Sequence, residues 1–410
     1  MDCDVVIFGG GAAGLWLLDE LTRRGDRALL LEAGQLGQGQ TVASQGILHG
    51  GLKYTLQGLL TPAAREIRDM PEIWRQCLAG RRNPNLQDTH VRSQHCYLWR
   101  SDTLRSRLGM IGAKVGLQVA PQELSDADRP AALAGCPGTV ARLEEQVISP
   151  ASFLADLARQ HHDRILAIDS REGVQLTLSA PGQVTAINLT HPDQPAPLQL
   201  RPRQVVLTAG AGNDALRVQC GLPAGKMQRR PLHMVLARGP LPLLHGHCVD
   251  GARTRVTITS DHDQAGRTVW QLGGQLAEDG VSCDELNLLH RAHAEFTAVL
   301  PGIDLSRVEW STYRVDRAEQ ASPRGSRPDT ATLIHEGNVT TAWPTKLALA
   351  PQLARMLIEC LPAATNQTET TATMAAKLAG WPRPEVALPP WESARNWISL
   401  TEPGTLRRAA

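Results

Sequence analysis

The run Gly9-Gly10-Gly11-Ala12-Ala13-Gly14 constrains the fold of this chain more than any other segment, because it satisfies GxGxxG at residues 9, 11 and 14. Before it stands Val5-Val6-Ile7-Phe8, a short apolar and mostly β-branched run suited to a buried parallel strand. After it, Ala12 to Arg24 carries Leu15, Leu17, Leu18 and Leu21 ahead of a charged end, which predicts a helix stopped at Gly25. A second strand, Ala28 to Leu31, runs into Glu32 and Ala33. In such a unit Gly9 permits the tight turn, Gly11 lets a pyrophosphate approach the backbone at Ala12 and Ala13, and Gly14 lets helix and sheet close together. The helix N-terminus adds unpaired N–H groups and the positive end of its dipole. Glu32 stands where a carboxylate accepts hydrogen bonds from a ribose and repels a 2′-phosphate. The unit reads as a dinucleotide site, with a bare flexible glycine turn as the plain alternative. The glycines alone leave FAD and NAD both open.

At 410 residues the chain has room for two or three domains. A formal net charge of +1 gives nothing that draws nucleic acid or an acidic membrane. The eight cysteines are scattered without a CxxC pair, so they read as reduced and mostly structural. Thirteen histidines include the neighbours His161 and His162 but show no spacing of metal ligands, so no metal is expected. The chain opens directly on a strand and has no long apolar window. The expectation is a cytoplasmic protein without a transmembrane segment, with attachment to the inner face of the membrane left open.

The remaining pattern predicts an α/β protein whose two domains interleave along the chain. Pro150 to His161 reads as a helix, and strands follow near Val174 to Leu178, Val184 to Leu189 and Gln204 to Leu207. Gln204 to Leu207 leads into Thr208-Ala209-Gly210, repeating the strand-to-glycine transition of the opening. Leu232 to Ala237, Thr254 to Thr259 and Thr268 to Leu272 read as strands of a second sheet, with a helix near Cys283 to Leu300. Trp343 to Leu361 has helical apolar recurrence. The expected division is a discontinuous Rossmann-like dinucleotide domain (1–95, 145–225, 323–361) and an α+β substrate or cap domain on a mainly antiparallel sheet (96–144, 226–322). A proline-rich tail (362–410) carries Trp381, Trp391 and Trp397, to be packed on the body or at an oligomer contact, with a homodimer left open.

Thr41-Val42-Ala43-Ser44-Gln45-Gly46-Ile47-Leu48-His49-Gly50-Gly51-Leu52-Lys53-Tyr54 resembles the serine-containing loop and HGG(L/V)RY segment of FAD-dependent glycerol-3-phosphate dehydrogenases, in the D-amino-acid oxidase-like flavoprotein superfamily. The resemblance extends over about residues 3 to 358 and implies FAD as cofactor. It places Ser44 near the pyrophosphate, His49, Gly50 and Gly51 near the flavin and Gly210 at a close nucleotide approach, with Thr41, Gln45, Gly46 and Ala209 also binding the cofactor. Val184 would present backbone to the adenine end, and Gly337, Asn338, Val339, Thr340 and Thr341 would lie beside the isoalloxazine as a turn before a helix. For catalysis it points to His233 or His49 as base, and to Lys53, Tyr54 and Arg314 at an anionic substrate, with Arg317 as the alternative arginine. Asn338 and Trp343 depart from the dehydrogenase pattern and put glycerol 3-phosphate in doubt. The implied activity is oxidation of a small hydroxy or amino substrate by hydride transfer to flavin N5, with oxygen, quinone or another carrier as electron acceptor. An NAD-dependent dehydrogenase and an inactive flavin-binding protein are the other readings.

Overall fold

The computed structural model describes residues 1–50, 69–100, 122–191, 197–250, 253–323, 325–328, 330–364, 371–401 and 405–408. Its first sheet runs in the order Ile165–Ala167, Ala28–Glu32, Asp2–Phe8, Leu198–Leu207, Val339–Trp343, Thr332–Glu336. Every neighbouring pair is parallel except the last. The apolar run at Val5–Phe8 is buried throughout, as a strand covered on both faces must be. The helix Ala12–Arg24 ends at Gly25, whose φ of 91° lets its N–H turn back onto the last carbonyls. One face of the sheet is covered by this helix with Met70–Leu78, Pro150–Gln160 and Ala350–Cys360. Trp16, Trp74 and Phe153, one from each of three helices, meet there with ring centroids 4.7 to 6.2 Å apart. A hairpin of Val174–Ala180 and Gln183–Leu189 extends from the start of Leu198–Leu207.

Among the described residues the second sheet has ten strands. Met227–Gly239 and Glu309–Gln320 form its longest pair, antiparallel over twelve residues, and Thr268–Gly273, Arg253–His262 and Gly246–Asp250 continue it. Cys96–Arg100 and Val140–Leu143 join at the far side. The helix Glu285–Val299 covers one face, where Trp270, Leu272, Val235 and Ile258 pack against Leu288, Leu289 and Phe296. Among the described residues no helix is long and apolar enough to cross a membrane.

The tail packs across both sheets. Met374, Leu378 and Trp381 join the core beneath Phe8, Leu29 and Leu31, and Trp391 and Trp397 pack with Leu236 and Val269 of the second sheet. The expected helix from Trp343 to Leu361 is shorter than its apolar recurrence suggests. Trp343 closes a buried strand and the α-helix begins at Ala350, after a 3-10 turn.

Two strands of the first sheet are tied at their ends. Thr208 N–H donates to Phe8 O, and Thr208 Oγ1 lies 3.0 Å from both Phe8 O and Gly9 O. Thr208→Val keeps the shape and removes the hydroxyl, and is expected to cost about 1–2 kcal/mol. The readout is a lower urea midpoint at unchanged slope. An unchanged midpoint would show that the hydroxyl does not hold the turn.

Candidate functional site

The ends of four parallel strands line one edge of the first sheet: Phe8 into Gly9, Leu207 into Thr208, Glu32, and Trp343 into Pro344. Ligands of open parallel sheets bind outside such carboxyl ends. Contact closes the turn here. A Cβ on Gly9 would stand 2.5 Å from Ala209 Cα, and one on Gly14 would stand 2.0 Å from Gly9 O, so neither position admits a side chain. Gly11 begins the helix without a side-chain cap, and Ala12 N lies 3.3 Å from Thr41 Oγ1. Glu32 accepts the N–H of Gly10 at 2.6 Å and of Gly34 at 2.8 Å, which sets its carboxylate beside the glycine turn with lone pairs to spare, next to the exposed Ala33. Ser44 Oγ is buried with no partner. Ala209 and Gly210, the latter at φ 54°, continue the edge. A bare-backbone cradle, a helix N-terminus with Ala12 and Ala13 in its first turn, an acid and an orphan hydroxyl together fit a dinucleotide the size of FAD.

At the flavin end the placement differs from expectation. Val339 lies opposite Val205 and Thr341 opposite Leu207 in parallel register, so Gly337 and Asn338 form a hairpin turn at the sheet edge opposite Gly9. Asn338 Oδ1 accepts the Val184 N–H at 2.8 Å and Asn338 Nδ2 donates to Val184 O at 2.9 Å, which leaves Val184 no N–H for an adenine. Thr340 Oγ1 meets His335 Nδ1 at 2.8 Å, and Arg217 Nη1 donates to Thr341 Oγ1 at 3.0 Å. Val184, Gly337 and Asn338 thus lie at the end of the sheet away from the glycine turn, while Val339, Thr340 and Thr341 run along the strand towards it, Thr341 level with Leu207. The segment at the glycine edge is Pro344-Thr345-Lys346-Leu347, which sequence reasoning assigned to a helix. Thr345 takes a φ of 60°, uncommon for a residue with a Cβ, and its Oγ1 donates to Thr330 O. The one signal for this strand end was Pro344, since a residue before proline is biased towards extended backbone.

The loop after Thr41 is pinned beneath the second sheet. Gln45 Nε2 donates to Thr257 O at 3.0 Å and Gln271 O at 2.9 Å. Gln271 Nε2 donates to Ala43 O at 2.8 Å and to Tyr313 OH, which in turn donates to Ala43 O. A Cβ on Gly46, at φ 73°, would stand 2.0 Å from Ile148 O. Beyond it His49 Nδ1 lies 3.4 Å from Glu145 Oε2, Gly50 N–H donates to Glu145 Oε1 at 2.7 Å, and His247 Nε2 is 3.9 Å from that Oε2. Burial pushes the Glu145 carboxyl up, but the His49 contact, the charges of His49 and His247 and the Gly50 N–H outweigh it and hold the group below its ordinary value. Glu145 and His247 escaped sequence reasoning because about a hundred residues separate each from the next ligand-type partner. Gly51, Lys53 and Tyr54 lie outside the described residues.

Strand alternation sorts the second sheet into two faces. Trp270 and Leu272 face the helix Glu285–Val299, so Gln271 faces the dinucleotide edge, as do Tyr313, His247 and Thr257. His233 and Arg314 are cross-strand partners on the helix side. His233 Nδ1 lies 3.1 Å from Gly280 O, and Arg314 donates to Val281 O and Cys283 O. The structure thus brings the expected pair together, fastening the turn before the helix on the face opposite Gln271 and Tyr313. Arg317 shares its face with Tyr313; its guanidinium holds Glu278 at 3.2 Å and its Nε is buried without a partner. Burial, with Arg230 beside it, holds its pKa below the ordinary arginine value.

Comparison with known proteins gives the family. The family model of FAD-dependent oxidoreductases, DAO, matches residues 4–350. A probable FAD-dependent oxidoreductase of Pseudomonas aeruginosa, PA4991, is 39% identical over 404 residues, covering 96% of this chain and 98% of that protein. Its crystal structure superposes with a TM-score of 0.78 at 35% identity over the same shares of the two chains. Glycine oxidase from Geobacillus kaustophilus has a TM-score of 0.64 at 17% identity, covering 91% of this chain and 98% of that one. An FAD-bound L-alpha-glycerophosphate oxidase from Mycoplasma pneumoniae has 0.62 at 14% identity, covering 90% and 97%. The chain belongs to the DAO family of FAD-dependent oxidoreductases.

Proposed function

We propose that this enzyme oxidises a small anionic substrate, a hydroxy acid or an amino acid, at the carbon bearing its hydroxyl or amino group. The observation that carries the reading is the polar face of the second sheet, where His247, Gln271, Tyr313 and Arg317 look towards the loop Ala43–Gly50 and the glycine edge. FAD, when bound, would take the hydrogen of the substrate C–H bond as hydride, that is with its two electrons, and would pass those electrons to oxygen, quinone or another carrier.

The chain supplies position and proton transfer. Arg317 offers a buried, unpartnered Nε–H to a substrate carboxylate, and a guanidinium presents its donors in a rigid fork. His49 is the group for the substrate's hydroxyl or ammonium proton, since imidazole accepts a proton near neutral pH. Glu145, buried against His49 Nδ1, stabilises the imidazolium that results. Tyr313 stays protonated, because burial pushes its hydroxyl up, and so it positions rather than titrates. The similar structures include an oxidase named for an amino acid and one named for a glycerophosphate, which supports keeping both C–N and C–O substrates in view. Of the two departures that weigh against glycerol 3-phosphate, Asn338 lies at the opposite end of the sheet, whereas Trp343 closes a strand at the glycine edge.

Anaerobic mixing of the FAD-loaded enzyme with 2-hydroxy acids, D- and L-amino acids, N-methyl amino acids and glycerol 3-phosphate should bleach the flavin with at least one of them. His49→Ala should slow that bleaching by about 10²-fold or more with FAD retained, and an unchanged rate removes His49 as base. Arg317→Ala should raise the apparent KM by about tenfold or more, the loss of one charge-assisted contact. Arg314→Ala should leave KM within about twofold; the reverse ranking would contradict the face assignment.

A further inference from the structure

Three side chains of ligand-forming type converge near the loop. Glu145 Oε2 is 3.4 Å from His49 Nδ1 and 3.9 Å from His247 Nε2, and one ligand atom from each residue lies within 4.8 Å of the others. A triangle of those dimensions has its centre within about 2.5 Å of every corner, near the 2.0–2.2 Å of Zn–N and Zn–O bonds. We infer that His49, Glu145 and His247 form a site for one first-row divalent cation of the imidazole-preferring kind, with Zn²⁺ as its representative.

The surroundings are those of a ligand set. Two imidazoles and a carboxylate are a donor combination used by zinc and related ions. His247 Nδ1 lies 2.9 Å from Thr257 Oγ1, which fixes the ring with Nε2 turned towards Glu145. Glu145 Oε1 is held by the Gly50 N–H, so Oε2 is the oxygen left for an ion. Glu145 and His247 are buried while His49 is half-buried, so the cluster lies inside the protein with His49 as its most exposed member. The ligands come from the loop after Gly46, from the stretch after Val140–Leu143 and from the strand Gly246–Asp250, and an ion would clamp the loop to the second sheet. It would also occupy His49 Nδ1 and draw electron density from the ring, making its other nitrogen a poorer base. That last consequence, inhibition, rests on the role proposed for His49; the binding itself does not.

The test is calorimetric titration of the chelator-stripped, FAD-loaded enzyme with ZnCl₂. One ion per chain is expected, with affinity falling by at least about 100-fold in Glu145→Gln and in His247→Gln, and unchanged in His162→Gln. The flavin absorption spectrum of each variant checks its fold, and His49→Gln serves where another variant fails to fold. A wild-type enzyme that takes up no stoichiometric zinc, or a His247→Gln enzyme that binds it as tightly as wild type, overturns the site. Slower substrate bleaching in the presence of zinc then reports separately on His49, so failure of the catalytic reading leaves the binding result standing.

Discussion

The dinucleotide edge depends on two stretches of backbone that touch. Gly9 lies so close to Ala209, and Gly14 to the Gly9 carbonyl, that a methyl group at either place would collide with main chain. That contact brings the end of the first strand, the start of the first helix and the end of Leu198–Leu207 within reach of one pyrophosphate. Thr208 ties the two strand ends together, and Glu32 is drawn in by the Gly10 N–H. The second sheet and its polar face matter only because they close over this edge, through Ala43, Gln45, Gln271 and Tyr313.

The opening unit was legible in the sequence because its constraints are local. A glycine that must contact backbone, an apolar strand and a helix stop all fall within thirty residues, and each leaves a mark at a fixed spacing. The choice of FAD over NAD was legible only through the resemblance of Thr41 to Tyr54 to a known family, which the match over residues 4–350 upholds. The α/β architecture with a mainly antiparallel second sheet was likewise legible from alternation and helical recurrence.

What failed to show in the sequence is direction. Nothing at Gly337–Thr341 tells which end of the following strand meets the ligand, and the hairpin turn lies at the wrong edge. His233 and Arg314 illustrate the same limit in the second sheet. Each has the chemistry of a site residue, yet one step along the strand reverses the face, so Tyr313 and Arg317 share one face while Arg314 lies on the other. His49, Glu145 and His247 were hidden for a different reason, since only the pairing of Gly246–Asp250 with Cys96–Arg100 and Arg253–His262 brings such distant residues together.

A crystal structure of the enzyme with FAD bound is the most direct test of this account. The pyrophosphate should lie over the N–H groups of Gly11 to Ala13, the adenosine ribose at Glu32, and the isoalloxazine beside Thr345 to Leu347 under Gln271 and Tyr313. An isoalloxazine beside Gly337 and Asn338, or one facing His233 and Arg314, would contradict it.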